Sequence, residues 1–243
     1  MRYNRIDNLR AFSIISMVLY HAAWDLVFLY DFNWHWYRQL PGFIWQQSIC
    51  WTFILISGFC HSMSRRPFKN ALRVFLAGLL VSAVTWIFTP NIKITFGILT
   101  FIGSAALVCC AFNKIFEKFN WVWGIIISAL LFAFARNINT GTLGFFDIEL
   151  IEIPKIFYAN YFTTFFGLPF RSFYSSDYFS FFPWFFLYMT GFYLHKLFLK
   201  HKLMHLLKGN KVGVLNWLSK RSLIIYLLHQ PVLSGIFYLI FLR

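Results

Sequence analysis

Three ionisable residues near the amino terminus have the types and spacing that acid–base chemistry requires. Arg10, His21 and Asp25 occur in the run RIDNLRAFSIISMVLYHAAWDL. On an α-helix, Arg10 and His21 share one face and lie about 16 Å apart along the axis. Asp25 follows His21 by one turn, so its carboxylate can accept from one imidazole nitrogen and orient the other. The pattern predicts that His21 is a general base positioned by Asp25.

A second polar pair lies near the carboxyl end, in the run LIIYLLHQP. His229 and Gln230 precede Pro231, which frees a backbone carbonyl one turn back and favours a polar cavity. We predict that this pair binds substrate. The structural alternatives stay open: His229 could simply bond to a backbone carbonyl, and the His21–Asp25 pair could hold its helix to the last one.

Basic residues cluster after the second apolar segment, in the run SGFCHSMSRRPFK, where Arg65, Arg66 and Lys69 occur. Such a cluster at a membrane edge binds phosphate, either of a nucleotide-bearing donor or of a lipid. Simple retention of this loop on the cytoplasmic side is the alternative explanation.

Aromatic residues flank two further polar candidates. His35 lies between Trp34 and Trp36, and the run DYFSFFPWF contains Asp177 and Trp184. Aromatic rings usually anchor a protein at the membrane interface, but they also stack on sugar rings. Asp177 and Trp184 are therefore candidate residues for binding an acceptor.

The elements that position these residues are membrane-spanning helices. Of the 243 residues, 59% are hydrophobic, 23% are aromatic and only 12% are charged, against about 25% charged in soluble domains. This composition excludes a water-soluble globule. Seven spans and one re-entrant or interfacial segment at 156–170 are predicted in an all-α, polytopic, single domain covering residues 1–243. The spans are expected near residues 9–30, 43–63, 71–88, 96–112, 120–135, 179–198 and 222–242.

The distribution of charge predicts the orientation of these spans. Sixteen of the 22 basic residues fall on the side that holds the amino terminus, and six fall on the other. Positive residues collect on cytoplasmic loops, so the amino terminus is predicted to be cytoplasmic, in a multi-pass protein of the cell (plasma) membrane. The same rule and contact with anionic membrane lipids explain the net charge of +14 without a nucleic-acid partner. The four cysteines have neither paired nor metal-ligand spacing, so no disulfide and no metal are expected.

Five motifs in order resemble a known family. The first run resembles the opening of the transmembrane acyltransferase superfamily, in which an Arg, ten residues and a His occupy the first span. Together with FILISGFCHSMSRR, KITFGILTFIGSAALV, DYFSFFPWFFLYMTGFYL and SLIIYLLHQPV, it is similar to the bacterial branch of the heparan-alpha-glucosaminide N-acetyltransferase catalytic-domain family. The resemblance covers residues 5 to 237.

This resemblance implies an enzyme that moves acetyl from cytoplasmic acetyl-CoA to a small-molecule or glycan acceptor across the membrane. Arg65, Arg66, Lys69 and Arg10 would then bind the phosphates of CoA, and His21 would be the general base or a transient acetyl carrier. In the animal lysosomal branch the proposed catalytic His follows the first span, which makes His35 the other candidate. Family habit also suggests a homodimer.

Two other function classes compete with acetyl transfer. In a proton-coupled transporter, His21, Asp25 and His229 would form a proton relay, and inverted repeats would favour that reading. No such repeat is visible in the sequence. A membrane scaffold would have no need of intramembrane His and Asp residues.

Overall fold

Helices dominate the fold of the computed structural model, which describes residues 3–145 and 148–241. The helices are α1 (Asn4–Phe28), α2 (Leu40–His61), α3 (Pro67–Phe88), α4 (Ile98–Ala111), α5 (Asn113–Lys118), α6 (Trp121–Phe134), α7 (Tyr161–Phe166), α8 (Phe181–Lys200), α9 (Gly213–Lys220) and α10 (Ser222–Phe241). Short 3₁₀ turns occupy His35–Arg38, Pro90–Ile92, Ile138–Thr140, Lys155–Phe157 and Leu203–Leu207. Two strands, β1 (Thr142–Phe145) and β2 (Ile148–Glu152), complete the described elements.

Each of the seven predicted spans coincides with a helix. Five helical segments in the described chain are long and apolar enough to cross a membrane: Asn4–Phe28, Leu40–His61, Pro67–Phe88, Trp121–Thr140 and Ser222–Phe241. The other two predicted spans correspond to α4, which is apolar but has 14 residues, and to α8, which has 20. The protein is thus a mostly helical multi-pass membrane protein, with five candidate membrane-spanning helices among the described residues.

The stretch from residue 136 to residue 180 contains structure that the sequence did not predict. Strands β1 and β2 form an antiparallel hairpin, which pairs Thr142 with Glu152 and Phe145 with Ile148. Within the segment predicted to be re-entrant or interfacial, α7 has six residues, too few to cross a membrane. Asn160 begins α7 with a capping box, in which its side chain accepts from the backbone amide of Thr163 at 3.1 Å.

The chain divides into two compact units, and the first combines residues 3–56 with residues 202–241. In this unit, α1 packs against both α9 and α10. Hydrogen bonds hold its amino-terminal end. The backbone N–H of Asn4 donates to Lys208 O at 3.1 Å, its side-chain amide donates to Gly209 O at 3.0 Å, and the Ser219 hydroxyl donates to the Asp7 carboxylate at 3.0 Å. The first unit therefore joins the two ends of the chain around α1.

Residues 57–201 form the second unit, in which α3 packs on α4 and α6 packs on α8. Glycines allow both close approaches. A Cβ placed on Gly78 would lie 2.4 Å from the backbone nitrogen of Thr100, and one on Gly124 would lie 2.5 Å from the ring of Tyr193. Small residues let helix backbones approach closely within membranes, so these contacts fix the two helix pairs.

We predict that Gly78→Ala destabilises the protein by about 1–3 kcal/mol, because the added methyl group overpacks the contact between α3 and α4. Gly235→Ala is the matched control, since a Cβ there meets nothing within 4 Å and Ala favours the helix by about 0.5–1 kcal/mol. Thermal unfolding in detergent measures both variants. Equal unfolding temperatures for the two would show that the close approach at Gly78 carries no stability.

Candidate functional site

Helices α1 and α10 bring four of the predicted site residues together. The imidazole rings of His21 and His229 lie 4.8 Å apart between centroids, inclined by 59°. The Gln230 side-chain amide donates to Oδ1 of Asp25 at 2.7 Å. Asp25 is fully buried, and His21, His229 and Gln230 are half-buried. We refer to His21, Asp25, His229 and Gln230 as the α1–α10 cluster.

The hydrogen bonds of this cluster fix where a proton can be accepted. His229 Nδ1 lies 2.6 Å from the carbonyl oxygen of Tyr226, and a carbonyl can only accept, so Nδ1 carries the hydrogen. In a neutral ring Nε2 then holds the lone pair. Among the described residues, His229 Nε2, Asp25 Oδ2 and Gln230 Oε1 are buried without a hydrogen-bond partner. The cluster therefore presents three acceptors for an N–H or O–H group.

One predicted interaction is wrong. Asp25 does not accept from His21: its Oδ1 accepts from Gln230, and its Oδ2 has no partner within the described chain. The donor to Asp25 is the side-chain amide of Gln230 on α10. The sequence had assigned this role to the imidazole of His21, one turn away on α1. The bond between Asp25 and Gln230 is the kind of contact expected under the structural alternative, in which the His21–Asp25 pair holds the first span to the last. Helix α10 remains continuous through Pro231.

Arg10 lies on α1 well away from the histidines. Its guanidinium is 3.9 Å from the carboxylate of Asp7, one turn earlier on the helix. The rise from Arg10 to His21 is about 16 Å. Arg10 is therefore placed at the end of α1 where Asp7 joins α9, and not beside the α1–α10 cluster.

His35 is exposed on the 3₁₀ turn that follows α1. The turn is held by its neighbours: Tyr37 donates its hydroxyl to Tyr20 O at 3.0 Å, and Arg38 donates to Val27 O at 3.1 Å. The Trp34 and Trp36 rings stack 6.0 Å apart, and Trp36 also stacks on Trp45 at 6.1 Å. The predicted aromatic surroundings of His35 are present.

Three of the four predicted phosphate-binding residues lie in the second unit. Arg65 and Arg66 are exposed in the turn between α2 and α3, and Lys69 is exposed in the first turn of α3. Beside this turn lies a cavity of about 470 Å³, lined in part by His61, Ser64 and Cys110. The positive end of the α3 dipole adds to the attraction for anions here.

Asp177 and Trp184 are also in the second unit, and both have structural contacts. Asp177 Oδ2 accepts from the amide of Ile98 at 3.2 Å, which satisfies a free donor at the start of α4. Trp184 is 5% exposed. The Arg136 guanidinium covers its ring at 4.6 Å from the centroid. Trp184 is therefore buried, whereas the sequence predicted that it lies at the mouth of a span.

Sequence reasoning missed one polar group. His61 Nδ1 lies 3.0 Å from the Tyr188 hydroxyl, and His61 Nε2 lies 4.0 Å from Cys110 Sγ. His61 lies in the same run as the basic cluster, but its type and spacing alone indicated no role. The three residues come from three different helices, so no spacing along the chain joins them. None of the four cysteines, all of which lie within the described residues, is in a disulfide.

The fold and the buried polar groups define a helical multi-pass membrane protein with a cluster of buried polar side chains on α1 and α10. The family model described as heparan-alpha-glucosaminide N-acetyltransferase, catalytic, matches residues 2–231. The chain belongs to this family, and the resemblance predicted from its motifs is confirmed. The search of curated proteins and the search of solved structures each found no match.

Family membership indicates a membrane acetyltransferase. The matched region includes His21 and Asp25 near its start and ends at Pro231, directly after His229 and Gln230. It therefore contains the whole α1–α10 cluster. The comparisons give no support to the transporter alternative.

We predict that Gln230→Leu destabilises the protein by about 1–3 kcal/mol, because it leaves the buried Asp25 carboxylate without its donor. The double variant Asp25→Leu/Gln230→Leu removes both partners and is expected to recover most of this loss. Thermal unfolding in detergent gives the comparison. Additive losses in the double variant would mean that the bond between α1 and α10 contributes nothing.

Proposed function

We propose that this protein transfers acetyl from cytoplasmic acetyl-CoA to an extracytoplasmic acceptor, a sugar amine or hydroxyl. The observation that carries the proposal is the α1–α10 cluster, a set of buried proton acceptors in a chain of this family. Such proton-accepting groups suit one task in this reaction. They can remove a proton from the amine or hydroxyl of the substrate as it attacks the acetyl carbon.

The cluster supports a specific division of roles. Over the whole reaction, the acceptor nitrogen or oxygen becomes bonded to the acetyl carbon, the thioester bond of acetyl-CoA is broken, and CoA is released. The proton lost by the acceptor goes to an imidazole of the His21–His229 pair, and His229 Nε2 is the nitrogen with an available lone pair. Asp25 acts through Gln230, since their 2.7 Å bond joins the two helices that carry the histidines.

The turn between α2 and α3 is the proposed binding site for the donor. CoA carries phosphates, and Arg65 and Arg66 are exposed guanidinium groups directly before the positive end of α3, with Lys69 in its first turn. The neighbouring cavity of about 470 Å³ has room for part of the donor. Arg10 is a weaker candidate because its guanidinium already faces Asp7.

The proposed orientation follows the charge distribution. With the amino terminus in the cytoplasm, Arg65, Arg66 and Lys69 face the compartment that holds acetyl-CoA. The same orientation puts His35 on the acceptor side. The proposed location is the plasma membrane, where the basic segment at 196–221 contacts anionic lipid.

We predict that purified protein in nanodiscs acetylates glucosamine with acetyl-CoA, and that His21→Ala and His229→Ala each lower kcat about 10²–10⁴-fold, the usual contribution of a general base. His205→Ala is the control, because His205 is exposed and, among the described residues, its ring bonds only to the Lys202 carbonyl. Product formation and CoA release are measured together, with size-exclusion profiles as the check on folding.

His35→Ala distinguishes the two catalytic histidines suggested by the sequence. Full activity in this variant, with loss in His21→Ala, places the base in the α1–α10 cluster. Loss confined to His35→Ala would move the reaction to the turn after α1. If the wild-type protein neither binds nor consumes acetyl-CoA, the proposed function is wrong.

We also predict that Arg65→Ala/Arg66→Ala raises KM for acetyl-CoA by about tenfold or more with little change in kcat. Each charge-assisted phosphate contact contributes about 1.5–3 kcal/mol to binding. Arg171→Ala removes an exposed arginine from the opposite side in the proposed topology and is the matched control. An unchanged KM in the double variant would exclude this turn from donor binding.

A further inference from the structure

The second unit contains a nucleophile with a base beside it. Cys110, near the end of α4, has its Sγ 4.0 Å from Nε2 of His61, the last residue of α2. On its other side, His61 Nδ1 lies 3.0 Å from the hydroxyl of Tyr188 on α8. The imidazole thus contacts a thiol through one nitrogen and a hydroxyl through the other, as in enzymes that activate a cysteine with an oriented histidine.

Close packing fixes this line of groups. His61 is 8% exposed and Tyr188 is 1% exposed. Gly58, three residues before His61, passes so near α8 that a Cβ there would lie 2.0 Å from the Tyr188 carbonyl oxygen. The contact of Nδ1 with the Tyr188 hydroxyl and the contact of Nε2 with Cys110 Sγ orient the imidazole with Nε2 towards the thiol.

The thiol and the imidazole both line the cavity of about 470 Å³. Cys110 is half-buried, and the adjacent Cys109 is fully buried with its Sγ 3.5 Å from Met189 Sδ. Of these two neighbouring thiols, only that of Cys110 lines the cavity within the described chain. The turn that carries Arg65 and Arg66 lies directly after His61, where it can hold the phosphates of a thioester donor.

We propose that Cys110 accepts the acetyl group from acetyl-CoA and forms an acetyl-cysteine thioester, with His61 as the base. The Cys110 sulfur bonds to the acetyl carbon while the bond from that carbon to the CoA sulfur breaks. His61 Nε2 takes the thiol proton and returns it to the departing CoA thiolate. One thioester replaces another, so the step needs no oxidant or reductant, and an amine or hydroxyl acceptor later releases the acetyl group and restores the thiol.

Tyr188 is a positioning residue in this scheme. If its hydroxyl oxygen accepts from Nδ1–H of His61, the lone pair of the neutral ring lies on Nε2, on the side of Cys110. The inference rests on the proposed function, because it takes acetyl-CoA as the donor. It adds a covalent intermediate to the overall reaction and assigns the atom that carries it.

The test uses the purified full-length protein, radiolabelled acetyl-CoA and no acceptor. The expected result is label bound to the wild-type protein, released by hydroxylamine as a thioester is, and located on the peptide containing Cys110. Cys110→Ala loses the label, and His61→Gln slows labelling by about 10²–10⁴-fold. Cys109→Ala keeps the label, since its thiol does not line the cavity.

Peptide mapping of the wild-type protein keeps the test decisive if a variant fails to fold. Turnover of acetyl-CoA with no labelled protein, or label on a residue other than Cys110, overturns this inference and leaves the proposed function standing. Full turnover by Cys110→Ala in the presence of glucosamine overturns it as well. If the wild-type protein does not consume acetyl-CoA at all, the inference and the proposed function fail together.

Discussion

The hydrogen bond between Asp25 and Gln230 is the interaction on which the first unit depends. A carboxylate buried among apolar helices is costly unless a donor satisfies it. The donor comes from the far end of the chain, so residues about two hundred positions apart are joined at 2.7 Å. Helix α10 is otherwise largely exposed and has no fully buried residue in its described part. This bond therefore determines which face of α10 meets α1, and with it the position of His229 beside His21.

The two units follow the same physical rule with different groups. In both, a polar side chain within an apolar helix finds its partner on another helix, because lipid offers none. Asp25 pairs with Gln230 in the first unit, and His61 pairs with Tyr188 in the second. In each unit a histidine is left with one nitrogen oriented by a neighbour. His229 in the first unit suits proton removal from an acceptor. His61 in the second unit suits activation of the Cys110 thiol, which lies beside a cavity and a basic turn.

Much of the fold was predictable because membrane helices are encoded locally. The seven apolar stretches predicted seven of the ten described helices close to their observed limits. The sequence also singled out His229 and Gln230 as candidate substrate-binding residues, and the structure places them beside His21 and Asp25. The partners themselves were not predictable. The bond assigned to His21 and Asp25 is made by Gln230, and Cys110 meets His61 and Tyr188 through tertiary packing alone. The β1–β2 hairpin and the burial of Trp184 were missed for the same reason, since neither leaves a periodic pattern in the sequence.

The central claim is that the α1–α10 cluster holds an imidazole ready to take a proton from the acceptor. Nitrogen NMR of isotope-labelled histidine in nanodiscs, assigned with His229→Ala, reads the protonation of each ring nitrogen directly. The account predicts that His229 carries its hydrogen on Nδ1 with Nε2 unprotonated at neutral pH, and that the Nε2 signal shifts when glucosamine is added. A His229 ring protonated on Nε2, or a signal that glucosamine leaves unchanged, would contradict it.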